Sequence, residues 1–305
     1  MGGKLKKKRG DYFAESIAKL VEKDLQSGDF GCSLDALSHS GECAGLFLGI
    51  FDEGAIRKLF ADTGLDAHLE KKGFRDTLID ITRDDDGVSR LCVYHGRKDP
   101  RRLLIDMKVS ETMFTPFKKY CVRDHRTPCT FHLVMIEWLE SSHPGEKFTR
   151  THPQLPGQRN PGLGVLKYMR DFLGAMARDI AHDGFMNIPD HVHTALMYAD
   201  SFMFVNPRQE GFIRALLRDL KDVRLDDITW GFATGTVVDA AGAPHVYQPS
   251  EQVYPVKEKL ARHFRERHYL EERDAAIGEL KFLFNRGEML ARRKKLLAEG
   301  DVAGM

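Results

Sequence analysis

One short stretch of the 305-residue chain is decisive for the fold: Arg159-Asn160-Pro161-Gly162-Leu163-Gly164. Apolar side chains recur at helical spacing over residues 163–182, so the stretch lies where a helix is predicted to begin. The first backbone N–H groups of a helix have no partner within it, and its macrodipole points its positive end outward. The two glycines let a ligand approach the main chain closely, and Pro161 is tolerated at a helix start because its missing N–H would be unpaired there anyway. The stretch therefore predicts a phosphate-binding loop.

Upstream of this loop, the sequence predicts a meander of three short antiparallel strands, because apolar-rich segments alternate with turn signals such as Asp86-Gly87. The three segments are residues 77–82, 90–95 and 103–110. A fourth segment, 130–139, is an almost unbroken apolar run and predicts a central strand covered on both faces. Helices are predicted before the meander, over 11–26 and 53–68.

Downstream of the loop, short strands and helices are predicted to alternate. After the helix over 163–182, which Gly184 closes, come a strand over 184–188, a helix over 190–201, a strand over 202–205 and a helix over 210–220. Residues 228–238 and 245–254 are predicted to form a hairpin. The sequence beyond 256 is charged and helical in pattern.

The order of central strand, glycine loop, helix, short strand and second helix resembles the GNAT superfamily of acyl-CoA-dependent N-acyltransferases, whose loop reads R/Q-x-x-G-x-G/A. The resemblance covers roughly residues 53–205 and implies an α/β (α+β) fold with a mixed, mainly antiparallel central sheet flanked by helices. It also implies that acetyl-CoA or another acyl-CoA is the cosubstrate. The residues that would bind it are Arg159, Asn160, Gly162, Leu163 and Gly164. In the family, a Tyr on the second helix protonates the departing CoA thiolate, and the matching position here is Tyr198.

Two residues are candidates for catalysis, and each has an alternative interpretation. Glu137 is the candidate general base, because it is a carboxylate inside an otherwise apolar strand, where burial raises the pKa of a carboxyl group toward neutrality. A bulge or a frayed strand that turns Glu137 outward is the alternative. Tyr198 is the candidate general acid. Its neighbours Leu196 and Met197 fit an ordinary core tyrosine with a bonded hydroxyl equally well.

No metal site is predicted. His191 and His193 are two residues apart, so on a helix they point to different sides and do not share an ion. His125, His132, His143 and His152 show no ligand spacing either.

The composition bounds the class of protein. The 46 Lys and Arg against 45 Asp and Glu leave a net charge of +1, so no overall field favours nucleic acid or an anionic membrane as a partner. No apolar run is long enough to predict a spanning helix. Five cysteines without a C-x-x-C pair argue against a closed set of disulfides and favour the cytoplasm. The predicted organisation is a basic flexible tail at 1–10, an acyl-CoA-binding domain at 11–255 and a charged helical extension at 256–305.

The function predicted from these features is transfer of an acetyl or other acyl group from acyl-CoA to an amine that the sequence does not name. The alternative is a protein of the same fold that has lost the transfer chemistry and serves as an acyl-CoA-binding or protein-interaction module, because fold alone does not determine function. The sequence does not fix the oligomeric state.

Overall fold

The computed structural model of the chain describes residues 45–116, 130–150, 152–177, 179–180 and 182–299. The basic tail predicted at 1–10 and the helix predicted over 11–26 lie outside these residues. Within them, none of the helices has both the length and the apolar character needed to cross a membrane.

Nine β-strands occur in this part of the chain. They are β1 (Thr77–Arg83), β2 (Ser89–His95), β3 (Leu103–Phe114), β4 (Phe131–Ser141), β5 (Gly184–Asn187), β6 (Met203–Phe204), β7 (Val237–Val238), β8 (Gln252–Pro255) and β9 (Leu283–Phe284). Seven of them form one sheet in the order β1-β2-β3-β4-β5-β8-β6, in which only β4 and β5 run parallel. The other two, β7 and β9, form a small separate sheet.

Nine α-helices accompany these strands in the described residues. They are α1 (Glu53–Thr63), α2 (Leu65–Lys71), α3 (Leu166–Met176), α4 (Val192–Tyr198), α5 (Pro207–Asp219), α6 (Leu225–Ala233), α7 (Glu258–His263), α8 (Arg267–Glu279) and α9 (Arg286–Glu299). The predicted fold class, a mixed and mainly antiparallel central sheet flanked by helices, is confirmed.

The first three strands form the predicted antiparallel meander, and β4, the predicted fourth strand, pairs antiparallel with β3. Four consecutive residues are buried on β2, Leu91 to Tyr94, and four on β3, Leu104 to Met107, so these two strands are covered on both faces over that length. The turn between β1 and β2 uses Gly87 at φ +82°, a conformation that glycine adopts without strain. Apolar-rich segments separated by turn signals were therefore sufficient to predict these strands.

Helices α1 and α3 share one apolar core with the sheet. Phe60 on α1 and Phe172 on α3 are both buried and meet edge to face, with ring centroids 5.2 Å apart. The single helix predicted over 53–68 is two helices, because Gly64 adopts φ +76° and its N–H bonds to the carbonyl groups of the last turn of α1. Such a left-handed glycine is a common helix end.

The predicted hairpin over 228–238 and 245–254 is wrong. Its first half contains α6, whose Trp230 is fully buried, and its second half contributes β8, which inserts between β5 and β6. An apolar run around a buried tryptophan fits a buried strand and a buried helix equally well, so periodicity alone did not distinguish them.

Two further predictions about length and burial need correction. The helix predicted over 163–182 ends at Met176, and the chain then runs irregularly to β5. The strand β4 is buried through Ile136, but Glu137 and Trp138 are exposed, so the prediction that both faces of β4 are covered is wrong for its second half.

Candidate functional site

The glycine loop leads directly into α3. Within it, Pro161 and Leu163 are buried, whereas Gly162 and Gly164 are exposed. The buried residues anchor the loop in the core. The alternating glycines leave stretches of main chain open to a ligand, as the sequence predicted.

Contacts from two neighbouring segments hold the loop in place. The backbone N–H of His143 donates to the carbonyl oxygen of Pro161 at 2.8 Å, and a ring nitrogen of His68 on α2 lies 2.9 Å from the carbonyl oxygen of Leu163. The His68 ring also packs on Tyr168 in the first turn of α3, with centroids 4.6 Å apart. The loop and the start of α3 are therefore fixed before any ligand binds.

The backbone N–H groups around the start of α3 are unpaired. Val165 is the N-cap residue, and its side chain accepts no hydrogen bond from the first turn. The carbonyl oxygen of Val165 accepts a hydrogen bond from the N–H of Met169 at 2.9 Å. Among the residues that the structure describes, the N–H groups of Gly162, Leu163 and Gly164 also make no hydrogen bond. These donors can bind an anion, and the positive end of the helix dipole adds to the attraction.

Open space lies over both glycines of the loop. A Cβ built on Gly162 would lie 3.7 Å from the carbonyl oxygen of Ser141, an ordinary contact, and one built on Gly164 would meet no atom within 4 Å. Gly164 has φ +70°, a region that favours glycine. The space leaves room for a ligand, and the proximity of Ser141 places the loop beside the end of β4.

The strand β4 has an open edge on the side of β5. The parallel pairing ends at Met135 opposite Met186, and β5 itself ends at Asn187, whereas β4 continues to Ser141. Beyond Met135, no described strand covers this side of β4. The main-chain groups along this edge can pair with an extended ligand, and the edge runs towards the glycine loop.

A β-bulge interrupts the pairing of β4 with β3 along the same half of the strand. Lys108 lies opposite Trp138 and Val109 lies opposite Ile136, so Glu137 has no opposing residue. Glu137 is exposed. Its predicted burial is therefore wrong, because a bulge changes the direction in which the local side chains point.

Tyr198 is the last residue of α4 and lies in the core, with a side chain that is 8% exposed. Its ring packs against Phe202, with centroids 5.1 Å apart. Burial raises the pKa of its hydroxyl to about 12. No described residue forms a hydrogen bond with this hydroxyl, so the core-tyrosine interpretation lacks the bonded partner that it assumed.

The loop and Tyr198 belong to one apolar core. The same cluster of buried residues contains Leu163 of the loop, Met169 of α3 and Tyr198. Nη1 of Arg170 on α3 donates to Oγ of Ser201 at 3.4 Å, which ties α3 to the turn after Tyr198. In the described part of the chain, no hydrogen bond or ion pair joins Glu137 to this group.

A second polar cluster, formed by Glu111, His132 and His182, lies near the start of β4. Each residue offers one potential ligand atom, and these atoms lie within 4.8 Å of one another. The pKa of His182 is lowered by burial and by the neighbouring His132, with Glu111 opposing the shift. The sequence did not predict this cluster, because its residues lie on three separate segments that only the fold brings together.

The chain matches no protein-family model, and no curated protein is significantly similar to it.

Proposed function

We propose that the protein binds an acyl-CoA and transfers its acyl group to an amine. The observation that carries this proposal is the unpaired N–H groups of the glycine loop next to the open edge of β4. The two features suit different parts of one ligand, a phosphate group and an extended amide chain.

The pyrophosphate of CoA would bind at the glycine loop. The unpaired N–H groups at Gly162 to Gly164 and in the first turn of α3 are donors for phosphate oxygens. Arg159 and Lys167 are exposed on either side of these donors along the chain and supply positive charge. A local site of this kind is compatible with a protein whose net charge is only +1.

The pantetheine arm of CoA would lie along the open edge of β4. This arm is an extended chain with two amide groups, which can pair with main-chain N–H and C=O groups as an added strand would. The edge from Ile136 to Ser141 spans about 17 Å at the rise of an extended strand. Because Ser141 lies beside Gly162, an arm on this edge would continue from phosphates bound at the loop.

The transfer itself requires two proton movements. The amine nitrogen attacks the thioester carbonyl carbon, the C–N bond forms as the C–S bond breaks, the amine gives up a proton, and the thiolate takes one up. Tyr198 would protonate the thiolate. Its pKa, raised by burial to about 12, keeps the hydroxyl protonated at neutral pH, and the hydroxyl has no described protein partner to compete with the sulfur. Glu137 would accept the amine proton, directly or through water.

The order of the elements also supports the proposal. The strand β4, the glycine loop, α3, β5 and α4 follow one another in the order of the GNAT N-acyltransferases that the sequence resembles. Tyr198 ends α4, the helix on which that family carries its general acid.

An acyl-CoA-binding module without transfer activity is the second candidate. The exposure of Glu137 favours it, because the buried carboxylate expected as a general base is absent at this position. Binding by the loop and by β4 would be unchanged in such a module.

Release of free thiol from acetyl-CoA distinguishes the two functions. The enzyme is expected to release CoA thiol faster with at least one amine of a chemically varied panel than without amine, and mass spectrometry is expected to find an equal amount of acylated amine. A reaction without protein is the control. Saturable CoA binding together with no thiol release above that control would contradict the transferase and leave the binding module.

A further inference from the structure

The three side chains of the cluster at the start of β4 converge although they come from three segments. Glu111 lies on β3, His132 on β4 and His182 just before β5, with their ligand atoms within 4.8 Å of one another. The two imidazole rings have centroids 4.0 Å apart, and Nε2 of His182 lies 3.0 Å from Oε1 of Glu111. No other group of three such ligands occurs among the described residues.

The sheet register explains why Glu111 and His132 meet. Glu111 is directly opposite Val134, so these two residues share a face of the sheet. His132 is two positions before Val134 on the same strand and therefore points to that same face.

Two hydrogen bonds between Asp183 and His132 hold His182 beside His132. The backbone N–H of Asp183 donates to the carbonyl oxygen of His132 at 2.6 Å, and the N–H of His132 donates to the Asp183 carboxylate at 2.9 Å. Nζ of Lys259 lies 3.3 Å from the same carboxylate oxygen. Because the Asp183 carboxylate already bonds the His132 N–H and Lys259, the potential metal ligands are the other three side chains.

His182 is the observation that points to a missing ligand. Its side chain is 5% exposed, and neither ring nitrogen completes a hydrogen bond of ordinary geometry with a described residue, although Nε2 lies close to Glu111. A buried imidazole nitrogen without a partner is unfavourable. A bound cation would supply the partner that His182 lacks among the described residues.

We infer that Glu111, His132 and His182 bind a divalent transition-metal ion of the zinc class. Two imidazole nitrogens and one carboxylate oxygen form a donor set that suits Zn²⁺ and Co²⁺, whereas Mg²⁺ and Ca²⁺ prefer oxygen ligands alone. Three protein ligands leave a fourth position for water or a substrate oxygen. The partly exposed Glu111 gives water access to that position.

The inferred metal site is separate from the acyl-CoA site and does not depend on it. The glycine loop lies beside Ser141 at the end of β4, and His132 lies at its start. The length of β4 between them is about 30 Å at the rise of an extended strand.

Titration of metal-stripped protein with Co²⁺ tests the inference, because bound Co²⁺ in a four-coordinate site absorbs visible light. One equivalent is expected to bind, to be displaced by Zn²⁺ and to be unaffected by excess Mg²⁺. Glu111→Gln, His132→Ala and His182→Ala are each expected to weaken Co²⁺ binding by at least about 100-fold. His191→Ala is the control, since His191 also stacks on a second histidine, with centroids 5.2 Å apart, but belongs to no described three-ligand group.

The choice of variants also separates loss of metal binding from loss of the fold. Glu111 is partly exposed, so Glu111→Gln is expected to keep the fold, as judged by circular dichroism, even if replacement of the buried His182 does not. Absence of a Co²⁺ spectrum in the parent would overturn the inference. Binding that Glu111→Gln and His132→Ala leave unchanged would overturn it equally.

Discussion

The hydroxyl of Tyr198 has no hydrogen-bond partner among the described residues, and it is not one of their fully buried unpaired polar atoms. The ring packs against Phe202 in the core, so the hydroxyl is the part of this side chain that a ligand can reach. A hydroxyl kept without a structural partner fits a group that acts on a ligand.

Replacement of Tyr198 by Phe is expected to lower kcat by about 10²-fold, the low end for loss of a general acid, with acyl-CoA affinity almost unchanged. The melting temperature should stay about the same, because the change keeps the ring and removes no hydrogen bond to a described residue. Steady-state kinetics and thermal unfolding on the same sample measure both effects.

Tyr269→Phe is the matched control. Tyr269 is also a buried tyrosine, but its hydroxyl donates to the carbonyl oxygen of Phe204 at 2.6 Å. Its loss is expected to cost about 1 kcal/mol of stability and to leave the rate per folded molecule unchanged. If Tyr198→Phe behaves like this control, with lower stability and an unaltered rate, Tyr198 is not the general acid.

Glu137 shows what a single strand pattern cannot predict. Its apolar neighbours indicated a buried position, but the bulge opposite Lys108 and Val109 leaves Glu137 exposed together with Trp138. Where a bulge falls depends on pairing with another strand, which is not visible in the sequence of the bulged strand itself.

At the scale of elements, the glycine loop, α3 and β4 act as a unit. The buried Leu163 and the hydrogen bond to Pro161 fix the loop, while the N–H groups of Gly162 and Gly164 remain unpaired among the described residues. Such an arrangement is preorganised, since the protein does not have to order the loop when the ligand binds.

Gly162→Val is expected to weaken CoA binding by at least tenfold, equivalent to about 1.4 kcal/mol. The added side chain would enter the open space over the loop, where only an ordinary contact with Ser141 is present, so the fold should survive. Isothermal titration calorimetry with CoA measures the affinity, and thermal unfolding verifies the fold.

Gly145→Val is the control for this change. Gly145 is likewise a loop glycine, and a Cβ there would lie 3.9 Å from the ring of His143, so affinity should be retained. Gly164→Val is less informative, because φ +70° strains any branched residue and would lower stability as well. Equal CoA affinity for Gly162→Val and the parent would place the ligand elsewhere.

Local patterns predicted some elements and failed for others for a physical reason. The strands of the meander have clear turn signals and were found within a few residues, and α3 was found from its period although it was predicted too long at its C-terminal end. The helix α6 and the strand β8 are buried among elements distant in sequence, so their apolar runs carry no distinct period. Gly64 is a local signal for the end of a helix. The apolar helical pattern continues across it, and for this reason a single helix was predicted over 53–68.

At the scale of the whole molecule, long-range pairing determines what the sequence alone could not show. The position of β8 between β5 and β6, and the convergence of Glu111, His132 and His182, both follow from register between distant segments. The glycine loop remains a prediction for its ligand, but its exposed glycines could be identified from the sequence because they lie in consecutive residues. A site assembled across strands has no such signature.

Binding of CoA to the folded parent protein tests the central claim most directly. A ligand that binds only the folded state stabilises it by about 2.7 kcal/mol at a hundred times Kd, so millimolar CoA should raise Tm by several degrees. Acetyl-CoA should do the same, whereas sodium chloride at equal ionic strength should not. If a sample shown by mass spectrometry to be free of bound CoA gives no shift with either ligand, the glycine loop is not an acyl-CoA site and the account fails.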